Sequence, residues 1–450
     1  MGRMADRDAH PEHSAHGTAA EEVVQLCSDL IQIDTTNYGD ADGPGERKAA
    51  EHVVGLLDEV GIEASIHESE PGRASVLARW GGDVGDPLLI HGHLDVVPAE
   101  ADDWQVHPFS GDVRDGMVWG RGAVDMKDFD AMLLAVVRER QRAGRVPDRP
   151  VLLAFTADEE AGGHKGAEYL IEEHRDFFDG ATEAVGEVGG FSATIRGRRL
   201  YLIETAEKGM AWMRLTAKGT AGHGSMRHPD NAVTALTAAV ARVGAYEWPV
   251  KLTPTMETLL GVVAEIAGTS VTPENVEDLV AEFGSAARMV GAVIKNTTNP
   301  TMLDAGYKVN VIPQTASASV DGRFLPGERD SFLATMEDLV GEDIEIGFHS
   351  LQDPLETSFD GRIVDGIKTA IAAEDPDALV APYVMSGGTD GKHFNKLGMR
   401  CFGFAPLRLP EDLDFTGLFH GIDERVPVDA LEFGTRVFDR FLDEVAREKE

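Results

Sequence analysis

Apolar residues recur at helical spacing from Glu21 to Ile33, where Val24, Cys27, Leu30 and Ile31 share one face, and the loop-forming run Asp34-Thr35-Thr36-Asn37 follows. Pro44 to Val60 carries a second amphipathic helical pattern, stopped by Gly61. The pattern then shortens. Ile62 to His67 and Ala74 to Trp80 read as strands leading to Pro87-Leu88-Leu89-Ile90-His91-Gly92-His93-Leu94-Asp95-Val96-Val97-Pro98, whose apolar run predicts a buried strand. Asp125 to Arg142 predicts a third helix with Met132, Leu133, Val136 and Val137 on its apolar face, and Val151 to Phe155 is apolar throughout, as a central strand requires. Helices alternating with buried strands predict a three-layer α/β domain.

The texture changes after Glu187-Val188-Gly189-Gly190. A strand-like Met210 to Ala217, a glycine-rich Gly219 to Ser225, a helical Asn231 to Tyr246 and a long stretch to Pro300 follow. Tyr307 to Ile312 and Ala316 to Phe324 predict a pair of strands, and Phe332 to Leu339 a helix. The α/β pattern resumes at Ile363 to Ala372 and ends in a helix from Ala430 to Arg447. The 450 residues exceed one ordinary core. The expected division is a catalytic domain built from residues 19–207 and 354–450, with an inserted α+β domain at 208–353. Residues 1–18, rich in His, Asp, Arg and Gly and without the apolar core of a signal peptide, are expected to form a disordered arm.

The chain carries 78 acidic against 41 basic side chains, a net charge of -37, which argues against nucleic acid as a partner because phosphate binding needs a basic footprint. Arginine outnumbers lysine and the acid is spread along the chain, so adaptation to high salt is a second reading beside a plain solvated surface. No apolar run is long enough to cross a bilayer, and two cysteines, Cys27 and Cys401, make no disulfide framework; a cytoplasmic protein is expected.

Candidate chemistry begins at the predicted strand end, where residues two apart point to one side and His93 and Asp95 can act together. A histidine there is more readily a packed or hydrogen-bonded residue than a ligand. Asp125, closing Gly120-Arg121-Gly122-Ala123-Val124-Asp125-Met126-Lys127, suits either an N-cap or a ligand. The strand from Val151 runs into Asp158-Glu159-Glu160, and adjacent acids after a buried strand are costly unless something positive balances them. Glu187 stands in a glycine-rich turn, and His420 in Phe419-His420-Gly421-Ile422-Asp423-Glu424. Two imidazoles and several carboxylates form a nitrogen and oxygen donor set suited to a pair of Zn ions, with Mn or Co possible. On chemistry alone, metal centre and acid cluster stand level.

The order and spacing of His93-Leu94-Asp95, Gly120-Arg121-Gly122 with Asp125-Met126-Lys127, Asp158-Glu159-Glu160 and His420-Gly421-Ile422-Asp423-Glu424 resemble one family over nearly the whole chain from about Val24. It is the co-catalytic zinc metallohydrolase family of aminoacylases, acetylornithine deacetylases, succinyl-diaminopimelate desuccinylases and glutamate carboxypeptidases. The resemblance implies a zinc-exopeptidase-like catalytic domain with an inserted lid and dimerisation domain, two Zn ions, a homodimer, and hydrolysis of an amide bond in a small carboxylate-bearing substrate such as a dipeptide or N-acyl amino acid. It implies that Asp125 bridges the metals, that His93 and Glu187 complete one site and Glu160 and His420 the other. Glu159 is then general base and later acid, and Asp95 the partner of His93. Ala221-Gly222-His223-Gly224-Ser225 resembles the family's histidine loop, so His223 is expected to stabilise an oxyanion in the partner subunit's site, worth about 10²–10³ in rate for one such donor. Asn310 and Arg323 resemble residues that hold the substrate's carboxylate, which a guanidinium grips bidentately. Ser386-Gly387-Gly388-Thr389-Asp390 resembles a glycine loop in which Gly388 and Thr389 touch substrate.

Two departures stand out: Asp128-Phe129 occupies a place where many relatives carry Gly-Gly, and Glu257 to Pro300 is longer than a minimal insert needs. His91, His107, His164, His228 and His393 read as loop or supporting groups, and Trp104, Trp119 and Trp212 as core. A non-catalytic carboxylate-binding protein on the same fold would lack a ligand or the base, and none is missing. A serine hydrolase needs a Gly-x-Ser-x-Gly elbow, which the chain does not contain.

Overall fold

A computed structural model describes residues 17–39 and 43–446. Residues 1–16, most of the expected N-terminal arm, and Arg447, the expected end of the last helix, lie outside the described residues. The framework is a ten-stranded mixed sheet. At its centre Leu88–His93 runs parallel to Val151–Thr156 on one side and to Glu183–Gly186 on the other, and Arg400–Gly403 continues parallel to Glu183–Gly186. Every residue of the two central strands is buried, which explains their unbroken apolar composition. Alternation divides them between two cores: Leu88, Ile90, Leu153 and Phe155 pack in one, and Leu89, Leu152 and Ala154 in another on the opposite face. Helices Ala19–Ile31, Lys127–Arg142 and Val428–Val445 pack against one another in the first core, and helices Ala167–Glu173 and Gly391–Asn395 in the second. The result is the expected three-layer arrangement.

The inserted α+β domain is a four-stranded antiparallel sheet in the order Thr297–Ala305, Thr315–Phe324, Gly209–Lys218, Ile344–Gln352. Helices Ala232–Ala245 and Arg329–Val340 cover one face through Leu236, Ala239, Val243, Phe332 and Met336. The expected pairing of Tyr307 to Ile312 with Ala316 to Phe324 does not form. Residues 307–310 turn back on themselves, with Val311 N donating to Lys308 O at 3.1 Å, and Val311–Ile312 pairs instead with Gly222–His223. The true neighbour, Thr297–Ala305, hides behind a polar start and Pro300; proline is tolerated there because the strand is an edge.

The long stretch before it is helical, at Pro254–Ala267, Val276–Ala281 and Ala287–Gly291. Although it lies within the span expected for the insert, its apolar side chains Met256, Leu259, Val263, Val280 and Val290 join the core of the large sheet, against strand Leu379–Met385. Lys208 stands where the chain passes from strand Arg198–Glu207 to Gly209–Lys218 and ties this excursion to the crossing. It is fully buried, and its Nζ donates to Ala292 O, Lys295 O and Thr297 Oγ1 at 3.0, 2.9 and 3.2 Å. Burial, with Arg323 beside it, lowers its pKa to about 7. Lys208→Ala removes the donor from all three acceptors and empties a fully buried position, and is expected to cost about 2–4 kcal/mol, read as a lower Tm in thermal unfolding; an unchanged Tm would remove this clamp from the account.

Candidate active site

The carboxyl ends of adjacent parallel strands form a crevice, the usual ligand position in such sheets. His93 ends its strand, Asp158-Glu159-Glu160 follow the strand ending at Thr156, and Glu187 follows the strand ending at Gly186. Asp158, Val188 and His420 all lie at left-handed φ, 66°, 52° and 56°, a conformation costly for side chains of this kind that their surroundings hold in place. Asp158, for example, accepts from Asn37 Nδ2 at 3.2 Å and Lys165 N at 2.9 Å.

Asp95 locks the cluster. Its carboxylate accepts from the backbone amides of Glu159 and Glu160, each at 3.1 Å, and from Asn37 Nδ2 at 2.8 Å. His93 Nδ1 faces the Asp95 carbonyl at 3.0 Å and its carboxylate at 3.5 Å, which turns Nε2 toward Asp125 Oδ1 at 3.1 Å and Glu187 Oε2 at 3.4 Å. His420 Nε2 meets the other Asp125 oxygen at 3.2 Å and Glu160 Oε2 at 3.1 Å. Asp125 therefore presents one oxygen to each imidazole. The arms carrying Asp125 and His420 are joined by Glu424, which accepts from Val124 N at 2.7 Å and pairs with Arg121 at 2.5 Å.

Charge explains what the cluster wants. Burial, reinforced by Asp125, raises Glu160 to about 7, and burial, reinforced by Glu187, holds Glu159 well above the usual carboxylate range. Hydrogen bonds to Asp125 and Glu160 lift His420 to about 10, and the carboxylates around His93 overcome its burial and raise it too. Crowded acids here draw positive charge onto both imidazoles. Glu160 Oε1 is buried with no hydrogen-bond partner among the described residues. Donor atoms of His93, Asp125 and Glu160 lie within 4.8 Å of one another, as do those of His93, Glu159 and Glu187. Divalent cations fit this set. Distance alone admits Glu159 as a donor, but its oxygen stands 4.0 Å from His93 Nε2, farther than those of Asp125 and Glu187.

The cluster opens into a cavity of about 550 Å³. Arg323, Gly388 and Thr389 line it; Thr389 donates to the buried Glu207 through N at 3.0 Å and Oγ1 at 2.6 Å, and a Cβ at Gly388 would press within 2.5 Å of the Lys392 ammonium. His223 and Asn310 are brought together, Gly224 N donating to Asn310 O at 2.9 Å, but both are exposed and neither lines this cavity. Trp104 and Trp119 are buried as expected, whereas Trp212 is 42% exposed and lines the cavity, a correction to its reading as core: it points from the uncovered face of the four-stranded sheet. His393 also lines the cavity, and His91 is buried against Phe394. Asn37, Arg288, Tyr383 and Lys392 escaped the sequence reading; only Asn37, in a loop signal before a helix, carried any mark of interest.

Residues 89–444 match the family model "Peptidase family M20/M25/M40". The N-fatty-acyl-amino acid synthase/hydrolase of Xenopus tropicalis is 26% identical over 92% of this chain and 83% of its own. A probable carboxypeptidase S-like protein of Dictyostelium discoideum is 29% identical over 76% of this chain and 68% of its own. The crystal structure of a metallo-carboxypeptidase of Sulfolobus solfataricus shares the fold, with a TM-score of 0.71 at 19% identity over 94% of this chain and 99% of that one.

Proposed function

The chain belongs to peptidase family M20/M25/M40, a family of metal-dependent hydrolases, and from that premise we propose that it hydrolyses the amide bond of N-acyl amino acids with an apolar acyl group. The observation that carries the reading is Asp125, one oxygen toward each imidazole, with Glu159 beside it at the cavity. His93, Glu187 and Asp125 would hold one ion, and Asp125, Glu160 and His420 the other, with Zn the expected metal and Mn or Co able to replace it. When bound, such a pair polarises the scissile carbonyl and acidifies water. Glu159, raised in pKa and open to the cavity, takes the proton of the attacking water and returns it to the leaving amine. Asp95 fixes the face His93 presents. Thr389 and Gly388 would contact the substrate backbone. A role as a non-catalytic binder would call for a gap in the donor set or a missing base, and there is none.

The apolar acyl group is suggested by Phe191, Met210, Met289, Met385 and Phe419, which give the cavity an apolar wall among the charged and polar residues that line the rest of it, and by the name of the Xenopus relative. His223 and Asn310 are exposed on the inserted domain, whose edge strand also exposes Met302 (69%) and Leu303 (59%). We place a second copy of the chain there, reached through the inserted domain, so that His223 and Asn310 serve the partner subunit's cavity. Both cysteines are buried and unpaired, in keeping with a reducing cytoplasm, and no helix among the described residues is long and apolar enough to cross a membrane. The test is a panel of N-acyl amino acids and dipeptides on protein stripped with a chelator and reloaded with Zn, Mn or Co. Restored hydrolysis, with kcat/KM rising as the acyl chain lengthens from acetyl to dodecanoyl, supports the proposal; preference for unacylated dipeptides would redirect it.

A further inference from the structure

Five carboxylates, Asp125, Glu159, Glu160, Glu187 and Asp390, face or approach the cavity, so a substrate carboxylate entering it needs a cation with charge to spare. The cations that line the same space are almost all committed. His420 is held between Asp125 and Glu160. Lys392 stands 3.4 Å from Glu207 and donates to Lys208 O at 2.8 Å. Burial lowers His393 to about 4, which leaves it neutral near pH 7. Arg323 is gripped bidentately by Asp321, Nε to Oδ1 at 2.7 Å and Nη2 to Oδ2 at 3.1 Å, so the fork that would take a substrate carboxylate already holds one.

Arg288 is different. It lines the cavity from helix Ala287–Gly291, and its exposed side chain makes no hydrogen bond or ion pair among the described residues. Its mounting also differs from that of Arg323. Arg323 sits on the inserted sheet, in register with Met210. Arg288 sits on the helical excursion whose apolar residues join the core of the large sheet, and the turn Gly284–Ala286 just before it packs against Phe415–Gly417, the approach to His420. Any movement of the inserted domain therefore leaves Arg288 on the side of the metal-ligating residues. Met289 and Ala292, its helical neighbours, line the cavity too, so one short element offers a guanidinium and an apolar wall together.

We propose that Arg288 is the residue that binds the free carboxylate of the substrate, and that the excursion carrying it sets the preference for amphiphilic acids with an apolar body. This rests on the amidohydrolase reading for the identity of the substrate, but binding can be measured apart from turnover. The probes are N-dodecanoyl-leucine and the matching amide of dodecanoic acid with isopentylamine, which lacks only the carboxylate. Affinities are measured by calorimetry on full-length, metal-loaded protein carrying Glu159→Ala so that neither compound is consumed. The parent is expected to prefer the acid. Adding Arg288→Ala should weaken binding of the acid on the order of 10- to 100-fold, the range of a charge-assisted pair, and leave the neutral amide within about 2-fold; Arg288→Lys should recover part of the loss. Loss of preference on Arg323→Ala with Arg288→Ala silent would overturn the assignment, as would equal or absent binding of the two probes by the parent. Absence of turnover by the wild-type chain, with an Arg288-dependent preference in binding, would reject the hydrolase reading and leave Arg288 as the carboxylate site.

Discussion

Glu159→Ala is expected to retain its full metal content and to lose at least about 10³-fold in kcat, within the range for removal of a general base. The argument begins with the three residues Asp158-Glu159-Glu160. Asp95 accepts hydrogen bonds from the amides of both glutamates, so their backbones are fixed by one carboxylate, while their side chains part: Glu160 meets His420 at 3.1 Å and Glu159 stays at 4.0 Å from His93. Removing Glu159 deletes the group that burial and Glu187 keep proton-avid, but none of the closest contacts to either imidazole. KM should change little, because the loss falls on proton transfer rather than on substrate contacts. Turnover within 10-fold of wild type would remove Glu159 from the proton path; a parallel loss of metal would make it a ligand instead.

Asp125→Ala should be the most damaging change at the donor set. It is the side chain that both imidazoles approach, at 3.1 and 3.2 Å, so its loss opens both halves of the cluster. Metal content is expected to fall below one ion per chain and kcat by at least about 10³-fold, as loss of several kcal/mol of electrostatic stabilisation implies. In the metal-free protein the two imidazoles outweigh burial and hold the Asp125 carboxyl below the usual carboxylate range, so its loss also takes a partner from each of them and is expected to cost some stability. Thermal unfolding of stripped wild type and variant separates the two effects: a folded variant with a lower Tm than stripped wild type, and with metal content below one ion per chain on reloading, is expected. Loss of a single ion, with the other retained at full occupancy, would show that Asp125 serves one site alone.

The architecture was legible where periodicity was strong. Val151 to Phe155 and Leu88 to Ile90 are apolar without interruption because neither face of the central sheet meets water, and Lys127–Arg142 shows its stripe because it packs on two other helices. The edge strand Thr297–Ala305 was not legible: one side of it is open, so its composition is polar and it even contains proline. The helical excursion could be seen as excess length, but nothing in its pattern says that Met256 and Leu259 pack on the large sheet rather than on the insert. At the site, side chains whose chemistry is costly to bury announce themselves, as Glu159 and Glu160 do. A residue such as Asn37 does not, because an amide in a loop looks like turn chemistry until the fold brings it to Asp95. Arg288 is silent for the opposite reason: an exposed arginine on a short helix is ordinary, and only the cavity makes it notable.

The account turns on two metal ions sharing Asp125. The direct measurement is anomalous diffraction from crystals of the protein grown with Zn, recorded on both sides of the zinc edge. Two peaks are predicted, one among His93, Asp125 and Glu187 and the other among Asp125, Glu160 and His420, both lost in Asp125→Ala crystals. No peak at the cluster, or a lone ion away from Asp125, would contradict it.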